Sequence, residues 1–291
     1  MSTAADDLTE AVRRSFAETP EERLRLVLES LTDHLHAFVR EVEPTIEEWN
    51  SVIDFLTRTG QACTDVRQEF ILLSDVLGVS MLVETINDQE TPDATDSTVL
   101  GPFHMVRSPA RELGDEISAE STGVRCVVSG RVVSTDGTVI PGAELDIWHA
   151  NAEGFYDVQQ PGIQSVGNGR ALLHAGPDGK FSFTSVVPRY YPIPTDGPVG
   201  GLLQATKRHP YRPAHIHFLV RAEGYHDLTT HIFVAGDPYL ESDAVFAVKH
   251  SLVKSFEVDD NAAEAERFGV SVPFTHAQFD IVLSPLSRDE G

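Results

Sequence analysis

The chemistry of this 291-residue chain begins with Arg212-Pro213-Ala214-His215-Ile216-His217. If that hexapeptide is a strand, successive side chains alternate faces, so His215 and His217 project together while Ile216 packs the other way. Two imidazoles held side by side can chelate one metal ion. A permanent guanidinium charge at Arg212 beside them is costly unless an anion or a site calls for it. Upstream lie two tyrosine-bearing segments, Trp148 to Tyr156 and Val187 to Pro192, the second with Tyr190 and Tyr191 adjacent. Two phenols plus two imidazoles suit ferric iron. A phenolate oxygen is a hard donor for a hard trivalent cation, whereas zinc sites usually take His, Cys and carboxylate. A rival reading takes His215, His217 and His231 as three zinc ligands with an open fourth position, the pattern of a zinc-dependent hydrolase, and leaves both phenols unexplained.

These residues need rigid elements to hold them. The first third of the chain reads as helical. Thr19-Pro20-Glu21-Glu22 has the form of a capping box, and Leu24, Val27, Leu28, Leu31, Leu35, Phe38, Val39 and Val42 follow at helical spacing. Thr45-Ile46-Glu47-Glu48 repeats the signature before Trp49, Val52, Ile53 and Leu56, with Gly60 as the stop. A third helix is expected from Thr64 to Gly78 and a short fourth from Met81 to Ile86. The turn-rich stretch Gln89–Asp96 closes the helical part. Beyond it the period changes to two. Strands are expected at Val124–Val133, Ala143–His149, Lys180–Val187, Ala214–Val220, Leu228–Val234 and Ala277–Leu283, with turns at Asp136-Gly137 and Asp178-Gly179. Many short strands between Gly and Pro turns indicate an antiparallel β-sandwich, so the chain is mixed α and β: a helical region over 1–120 and a sandwich over 121–291. Long loops are expected at Asp157–Ala175 and Tyr190–Tyr211, directly beside the candidate ligands.

Composition narrows the partners. Forty-five acids against 22 bases give a formal charge of -23. That field repels nucleic acid and anionic membranes and tolerates neutral or weakly acidic small substrates. No apolar run is long enough for a membrane span, and the chain opens without a basic, signal-like region. Cys63 and Cys126 make no disulfide framework, which points to a reducing cytoplasm.

The chain resembles the intradiol ring-cleaving dioxygenases, the non-haem ferric family that splits catechols between their hydroxyls. The resemblance rests on Asp146-Ile147-Trp148-His149-Ala150-Asn151 through Gly154-Phe155-Tyr156, on Val187-Pro188 through Tyr191, on Arg212 through His217 and on Leu228-Thr229-Thr230. It covers essentially the whole chain. It implies Fe(3+), one per subunit, with Tyr156 and His215 as equatorial ligands and Tyr191 and His217 as axial ones. The family places its second tyrosine three residues after the proline matching Pro188, which selects Tyr191 over Tyr190. It implies Arg212 over the bound ring and Tyr191 as the base that takes a substrate proton. It also implies a pocket wall of Leu82, Val99, Leu100, Gly101, Pro102, Phe103, Ile193, Pro194 and Val245. A homodimer formed through the N-terminal helices, with room for a lipid in the interface, belongs to the same expectation.

The catechol-cleaving branch usually has Gln where this chain has His231. That departure, with Val99–His104 and Pro192–Gly200, resembles the hydroxyquinol-cleaving branch. It implies benzene-1,2,4-triol as substrate and 3-hydroxy-cis,cis-muconate, the tautomer of maleylacetate, as product. Catechol or a chlorocatechol is the alternative substrate. His231 is read either as a residue at the substrate, a hydrogen-bond partner behind a ligand, or a plain strand residue. His149 is read as a structural hydrogen-bonder, and His174, His209 and His226 as surface residues. The segment Gly130 to Val187 also reads like a transthyretin-type sandwich, which would make the chain a binding module without metal.

Overall fold

The computed structural model of the chain describes residues 4–64, 67–88, 93–104 and 107–286. It divides into two compact units, Met1–Arg58 and Thr59–Gly291.

The first unit is helical. Helix α1 (Ala4–Ser15) was not foreseen. It is tied to α2 (Glu22–Val42) by the Thr9 hydroxyl, which sits 2.9 Å from His36 Nδ1 and accepts from Arg40 Nη1 at 2.8 Å. The start of α2 corrects the sequence expectation. Glu21, not Thr19, is the cap, because its carboxylate accepts from the backbone N–H groups of Arg23 and Leu24 and so satisfies the donors of the first turn. The next helix, α3 (Ile46–Gln61), starts as foreseen. Thr45 Oγ1 accepts from Glu48 N at 3.2 Å and Glu48 returns the bond to Thr45 N at 2.8 Å. It runs one residue past Gly60, which therefore does not stop it.

In the second unit, α4 (Glu69–Val76) and α5 (Val79–Asp88) precede the sheets. The expected helix from Thr64 is thus shorter at its start, and residues 65–66 lie outside the described residues, as do 89–92 of the turn-rich stretch. Among the described residues twelve strands follow: β1 (Arg125–Ser134), β2 (Glu144–His149), β3 (Arg170–His174), β4 (Lys180–Val186), β5 (Tyr191–Pro192), β6 (Tyr211–Arg212), β7 (His215–Arg221), β8 (Leu228–Val234), β9 (Val253–Lys254), β10 (Glu257–Asp259), β11 (Phe274–Gln278) and β12 (Ile281–Leu283). Helix α6 (Pro198–Ala205) lies between β5 and β6, and α7 (Ala262–Phe268) between β10 and β11.

One five-stranded sheet runs β10-β11-β1-β12 with β4 also on β1, the other β3-β2-β7-β8-β9. The sandwich is as expected, and most pairings are antiparallel, but β11 and β12 lie parallel to β1 and β9 parallel to β8. The single strand expected over Ala277–Leu283 is split. Phe279 N donates to Ser129 O, and the Phe279 carbonyl comes so close to Gly130 that a Cβ there would stand 1.8 Å from it. The expected loop Asp157–Ala175 contains β3, and the expected loop Tyr190–Tyr211 contains β5, α6 and the start of β6.

The core lies between the sheets. From β1 and β4 it takes Val128, Val132, Phe181 and Phe183; from β2, β3, β7 and β8 it takes Leu145, Ile147, Ala171, Leu173, Ile216, Phe218, Val220 and Ile232. Strand alternation then sends Trp148, Arg170, His215, His217 and His231 to the outer face of the second sheet. That face is also buried.

Candidate metal centre

Register sets the outer face. Trp148 pairs with His217, and His217 with His231, so three strands bring these rings into one row. Trp148 stacks on the His217 ring at 4.5 Å and 13°. The alternation inferred for the hexapeptide holds: Ile216 is in the core, while His215 and His217 stand together with their Nε2 atoms 3.1 Å apart.

Two loops bring the phenols. After β2, Asn151 closes a turn by accepting from Glu153 N and Phe155 N. Gly154 then takes φ 89°, and Tyr156 starts a short 3-10 turn in which Tyr156 N donates to the Gln159 side chain at 2.9 Å. Gly154 also permits the two tyrosine loops to meet, since a Cβ there would stand 2.9 Å from Tyr190 O and 3.2 Å from Tyr191 Cβ. Tyr191 enters on the two-stranded ribbon β5–β6, directly opposite Arg212. Tyr190 faces elsewhere: it is half-buried and packs against the rings of Tyr211 and Tyr239.

Four donor atoms result in a closed ring. Tyr156 Oη is 3.0 Å from His217 Nε2 and 3.3 Å from Tyr191 Oη, Tyr191 Oη is 3.5 Å from His215 Nε2, and the two Nε2 atoms close the ring. Such edges belong to a coordination shell whose centre lies roughly 2 Å from each donor. All four side chains are buried. His215 is oriented by its Nδ1–H, which donates to Pro213 O at 2.7 Å. Phe103 stacks on Tyr156 at 4.5 Å.

Electrostatics make this set poor without a cation and good with one. Burial pushes the Tyr156 phenol well above its ordinary range, and the neighbouring Tyr191 adds to that. Burial raises Tyr191 too, against the pull of the Arg212 charge. The imidazoles are driven well below the usual range: His215 by burial and Arg212, His217 by burial, His231 and His215. A neutral imidazole has one ring-nitrogen lone pair to offer a metal; at His215 it is on Nε2, which lies 3.5 Å from Tyr191 Oη and 3.3 Å from Arg212 Nη1, and two phenols that resist ionisation need a strong cation to give up their protons. The donor set therefore fits a hard trivalent metal. Arg212 keeps its charge despite burial because Asp243 faces it, with Nε 3.2 Å from Oδ1. Asp243 is in turn held by Val245 N and Ala247 N.

The remaining expected site residues distribute unevenly. Gly101, at φ 75°, lets its backbone approach His217, where a Cβ would lie 3.2 Å from the ring. Phe103 joins Trp148, Tyr156 and Tyr191 in one buried cluster, and Val99, Ile193 and Val245 are buried in the main core. Pro102 and Pro194 are half-buried, Leu100 is exposed, and Leu82 stands 60% exposed on α5, so the structure does not bring Leu82 into the buried group. His231 does not turn toward the donor ring. Its Nε2 is 2.6 Å from His217 Nδ1, on the side of the ring away from the Tyr156 and His215 contacts of His217 Nε2. His215, His217 and His231 offer ligand atoms within 4.8 Å of one another, but the His217 nitrogen nearest His215 is Nε2 and the one nearest His231 is Nδ1. His149 is structural as expected, bonding Ala150 O and the Ser185 hydroxyl; His174 and His226 are exposed, and His209 is half-buried against the Tyr211 and Tyr239 rings.

Sequence reasoning missed three residues. Thr98 bonds His231, Asp243 holds Arg212, and Asp75 on α4 is buried with Oδ1 unpartnered. Burial raises the Asp75 carboxyl, with Ser80 and Arg212 opposing. Asp243 and Asp75 are isolated acids in a chain with 45, so only spatial proximity singles them out.

Family models match most of the chain: a catechol dioxygenase N terminus over residues 21–95 and a dioxygenase domain over residues 101–285. The chain is 48% identical to a hydroxyquinol 1,2-dioxygenase of Rhizobium sp. (strain MTP-10005), over 98% of this chain and 99% of that one. It is 50% identical to a 6-chlorohydroxyquinol 1,2-dioxygenase of Cupriavidus pinatubonensis, over 85% of this chain and 89% of the relative. The crystal structure of a hydroxyquinol 1,2-dioxygenase from Pseudomonas putida DLL-E4 superimposes with a TM-score of 0.89 at 44% identity, covering 97% of this chain and 99% of that one.

Proposed function

The chain belongs to the intradiol ring-cleavage dioxygenases, and from that premise we propose that its substrate is hydroxyquinol, benzene-1,2,4-triol. The reading gives 3-hydroxy-cis,cis-muconate, hence maleylacetate, with both atoms of dioxygen in the product. Relatives with hydroxyquinol in their names support it over nearly the full length. The observation that carries it is the closed ring of two phenol oxygens and two imidazole nitrogens, with edges of 3.0–3.5 Å.

In this reading Tyr156, Tyr191, His215 and His217 hold one Fe(3+) per subunit. Bound there, ferric iron supplies a Lewis acid for the diol and an electron acceptor that opens the ring to dioxygen. The protein's own contributions follow from its residues. Tyr191 Oη lies between His215 and Tyr156, and as a phenolate it is placed to take a proton from a ring hydroxyl. Arg212 cannot act as an acid, so it contributes fixed positive charge where negative charge develops on the ring and its oxygens. Phe103, Val99, Ile193 and Val245 supply apolar walls that exclude water.

Asp75 favours the triol over the diol. A buried acceptor without a donor costs free energy, and a third ring hydroxyl is the donor that would satisfy it. The N-terminal helices support a homodimer: Val27, Leu31, Leu35 and Phe38 of α2 and Trp49 and Val52 of α3 are exposed. The helices of residues 1–58 then serve assembly, the region expected over 1–120 also lends Asp75, Val99 and Phe103 to the site of the 121–291 sandwich, and the apolar helical face could accept a lipid. The described residues contain no helix long and apolar enough to cross a membrane, and with two free cysteines we place the enzyme in the cytoplasm.

The test is a visible absorption spectrum of iron-loaded protein, with and without anaerobic hydroxyquinol. A phenolate-to-iron band that moves to longer wavelength with hydroxyquinol, and is weakened and shifted in Tyr156→Phe, is the expected result. An iron-loaded protein without colour refutes the phenolate ligation. Repeating the titration with catechol and chlorocatechols ranks the substrates.

A further inference from the structure

Behind the donor ring runs a chain of three hydrogen-bonding side chains. The Thr98 hydroxyl is 2.8 Å from His231 Nδ1, and His231 Nε2 is 2.6 Å from His217 Nδ1. All three are fully or almost fully buried, and Thr98 is anchored by its backbone N–H, which donates to Thr229 O at 2.8 Å. The two histidine ligands are therefore supported differently. His215 Nδ1 faces a carbonyl, which can only accept, so its proton has one place to be. His217 Nδ1 faces another imidazole, which can donate or accept.

We propose that His231 and Thr98 are positioning residues that select the metal-binding tautomer of His217. The inference rests on the reading of His217 Nε2 as a ligand. Two settings of the chain keep both of its hydrogen bonds. In the first, His217 carries its proton on Nε2, His231 donates from Nε2 to His217 Nδ1, and the Thr98 hydroxyl donates to His231 Nδ1. In the second, His217 donates from Nδ1 to His231 Nε2, His231 donates from Nδ1 to Thr98 Oγ1, and the Thr98 hydroxyl proton turns outward. Only the second leaves the His217 Nε2 lone pair free for a metal. Each ring keeps one proton and the hydroxyl keeps its own, so passing from one to the other moves protons within the chain and changes no net charge.

The row Trp148–His217–His231 explains why a ring is used. Trp148 stacks flat on His217, which fixes the plane of the imidazole, and His231 meets its edge at 76°. A ligand ring held at its face and its edge has no freedom to swing off the metal. Outer partners of this kind are generally worth 10–100-fold in metal affinity. Without Thr98 the second setting loses its final acceptor, and His231 Nδ1–H is left buried and unpaired.

The experiment loads wild type, Thr98→Val, His231→Gln and His231→Leu with ferric iron and follows loss of the phenolate-to-iron band to a hydroxamate chelator. Expected loss is roughly 10–100-fold faster in His231→Leu and roughly tenfold faster in Thr98→Val. An amide offers the same acceptor and donor pair, so His231→Gln should stay within about threefold of wild type. In parallel, wild type with 15N-labelled histidine is loaded with Ga(III), a diamagnetic trivalent stand-in, and the His231 tautomer is read by NMR. Protonation of His231 at Nδ1 alone supports the proposal. Protonation at Nε2, or metal retention unchanged in both Thr98→Val and His231→Leu, overturns it. A wild-type protein that binds neither ion overturns the ligand reading itself, and this inference with it.

Discussion

The buried pair Arg212–Asp243 makes the sharpest prediction. Both side chains are 2% exposed, and the guanidinium reaches the carboxylate at 3.2 Å and 3.5 Å. Asp243 also accepts from Val245 N at 3.3 Å and Ala247 N at 3.0 Å, so the carboxylate is satisfied from two sides. Breaking a buried pair from one side leaves an uncompensated charge and costs about 3–5 kcal/mol, whereas neutralising both partners is far cheaper. Arg212→Met and Asp243→Asn should each lose stability in that range, with Arg212→Met at the lower end because the two backbone donors still face the carboxylate. The asparagine keeps an acceptor for one of those donors, so the double variant should fall at least about 2 kcal/mol short of the summed losses. The assay is urea unfolding of metal-free protein, followed by the fluorescence of Trp148, which is buried against His217. Losses that add to within about 0.5 kcal/mol would refute the reasoning, since independent sites add to that accuracy. Iron-loaded Asp243→Asn should keep its colour while kcat falls, because the four donor side chains are untouched.

Three further outcomes follow from single features of the site. Gly154→Ala meets both a φ of 89° and a carbonyl 2.9 Å from the new Cβ, so it should cost about 1–3 kcal/mol and weaken the phenolate band by parting Tyr156 from Tyr191; an unchanged band counts against that role. Asp75→Asn should lower kcat/KM for hydroxyquinol roughly tenfold or more relative to catechol, and an unchanged ratio removes Asp75 from substrate choice. Metal-free protein should lose stability as pH falls below about 6.5, where unfolded histidines gain protons that burial denies His215, His217 and His231; that stability is present above the unfolded value and is lost on acidification, so a urea midpoint that is flat or rises from pH 8 to pH 5 contradicts it.

How far the site could be read from sequence depended on how local its causes are. The shared face of His215 and His217 follows from strand alternation alone, and Ile216 lies in the core as that alternation requires. Tyr156 and Tyr191 were legible only through their motifs, since tyrosine by itself is an ordinary sandwich residue. What stayed hidden depends on partners far along the chain. His231 acts on His217 because β7 and β8 pair in one register, and Thr98 reaches His231 across 133 positions. Local signals also failed where composition was weak. Helix α6 contains Gly200 and Gly201, poor helix formers, and its first turn is tied down instead by Glu69, which accepts from Val199 N across the fold. Strand β3 reads as loop because Arg170-Ala171-Leu172-Leu173 lacks alternation; Arg170 is buried with Asp157 at 2.8 Å and the Phe103 carbonyl at 2.9 Å as its partners.

The placement of the centre follows from the sandwich itself. A strand in a two-layer fold has one face committed to the core, and in β2, β7 and β8 that face is filled by Leu145, Ile147, Ile216, Phe218 and Ile232. Polar donors can then gather only on the other face, which in an ordinary sandwich meets water. Here that face is covered, by the Tyr156 loop, by the β5–β6 ribbon and by the segment carrying Gly101 and Phe103. The cover does two things at once. It brings the phenols to the imidazoles, and it desolvates all four, which holds the imidazoles neutral and the phenols protonated until a cation arrives. The same desolvation makes any unpaired polar atom costly, so every orienting group must itself be oriented: Pro213 O for His215, His231 and Thr98 for His217, Asp243 for Arg212. Among the described residues that pattern is not complete: Asp75 Oδ1, Trp148 Nε1 and Arg170 Nη1 are buried without a partner, and of these Asp75 is the acceptor that the proposed third ring hydroxyl would satisfy.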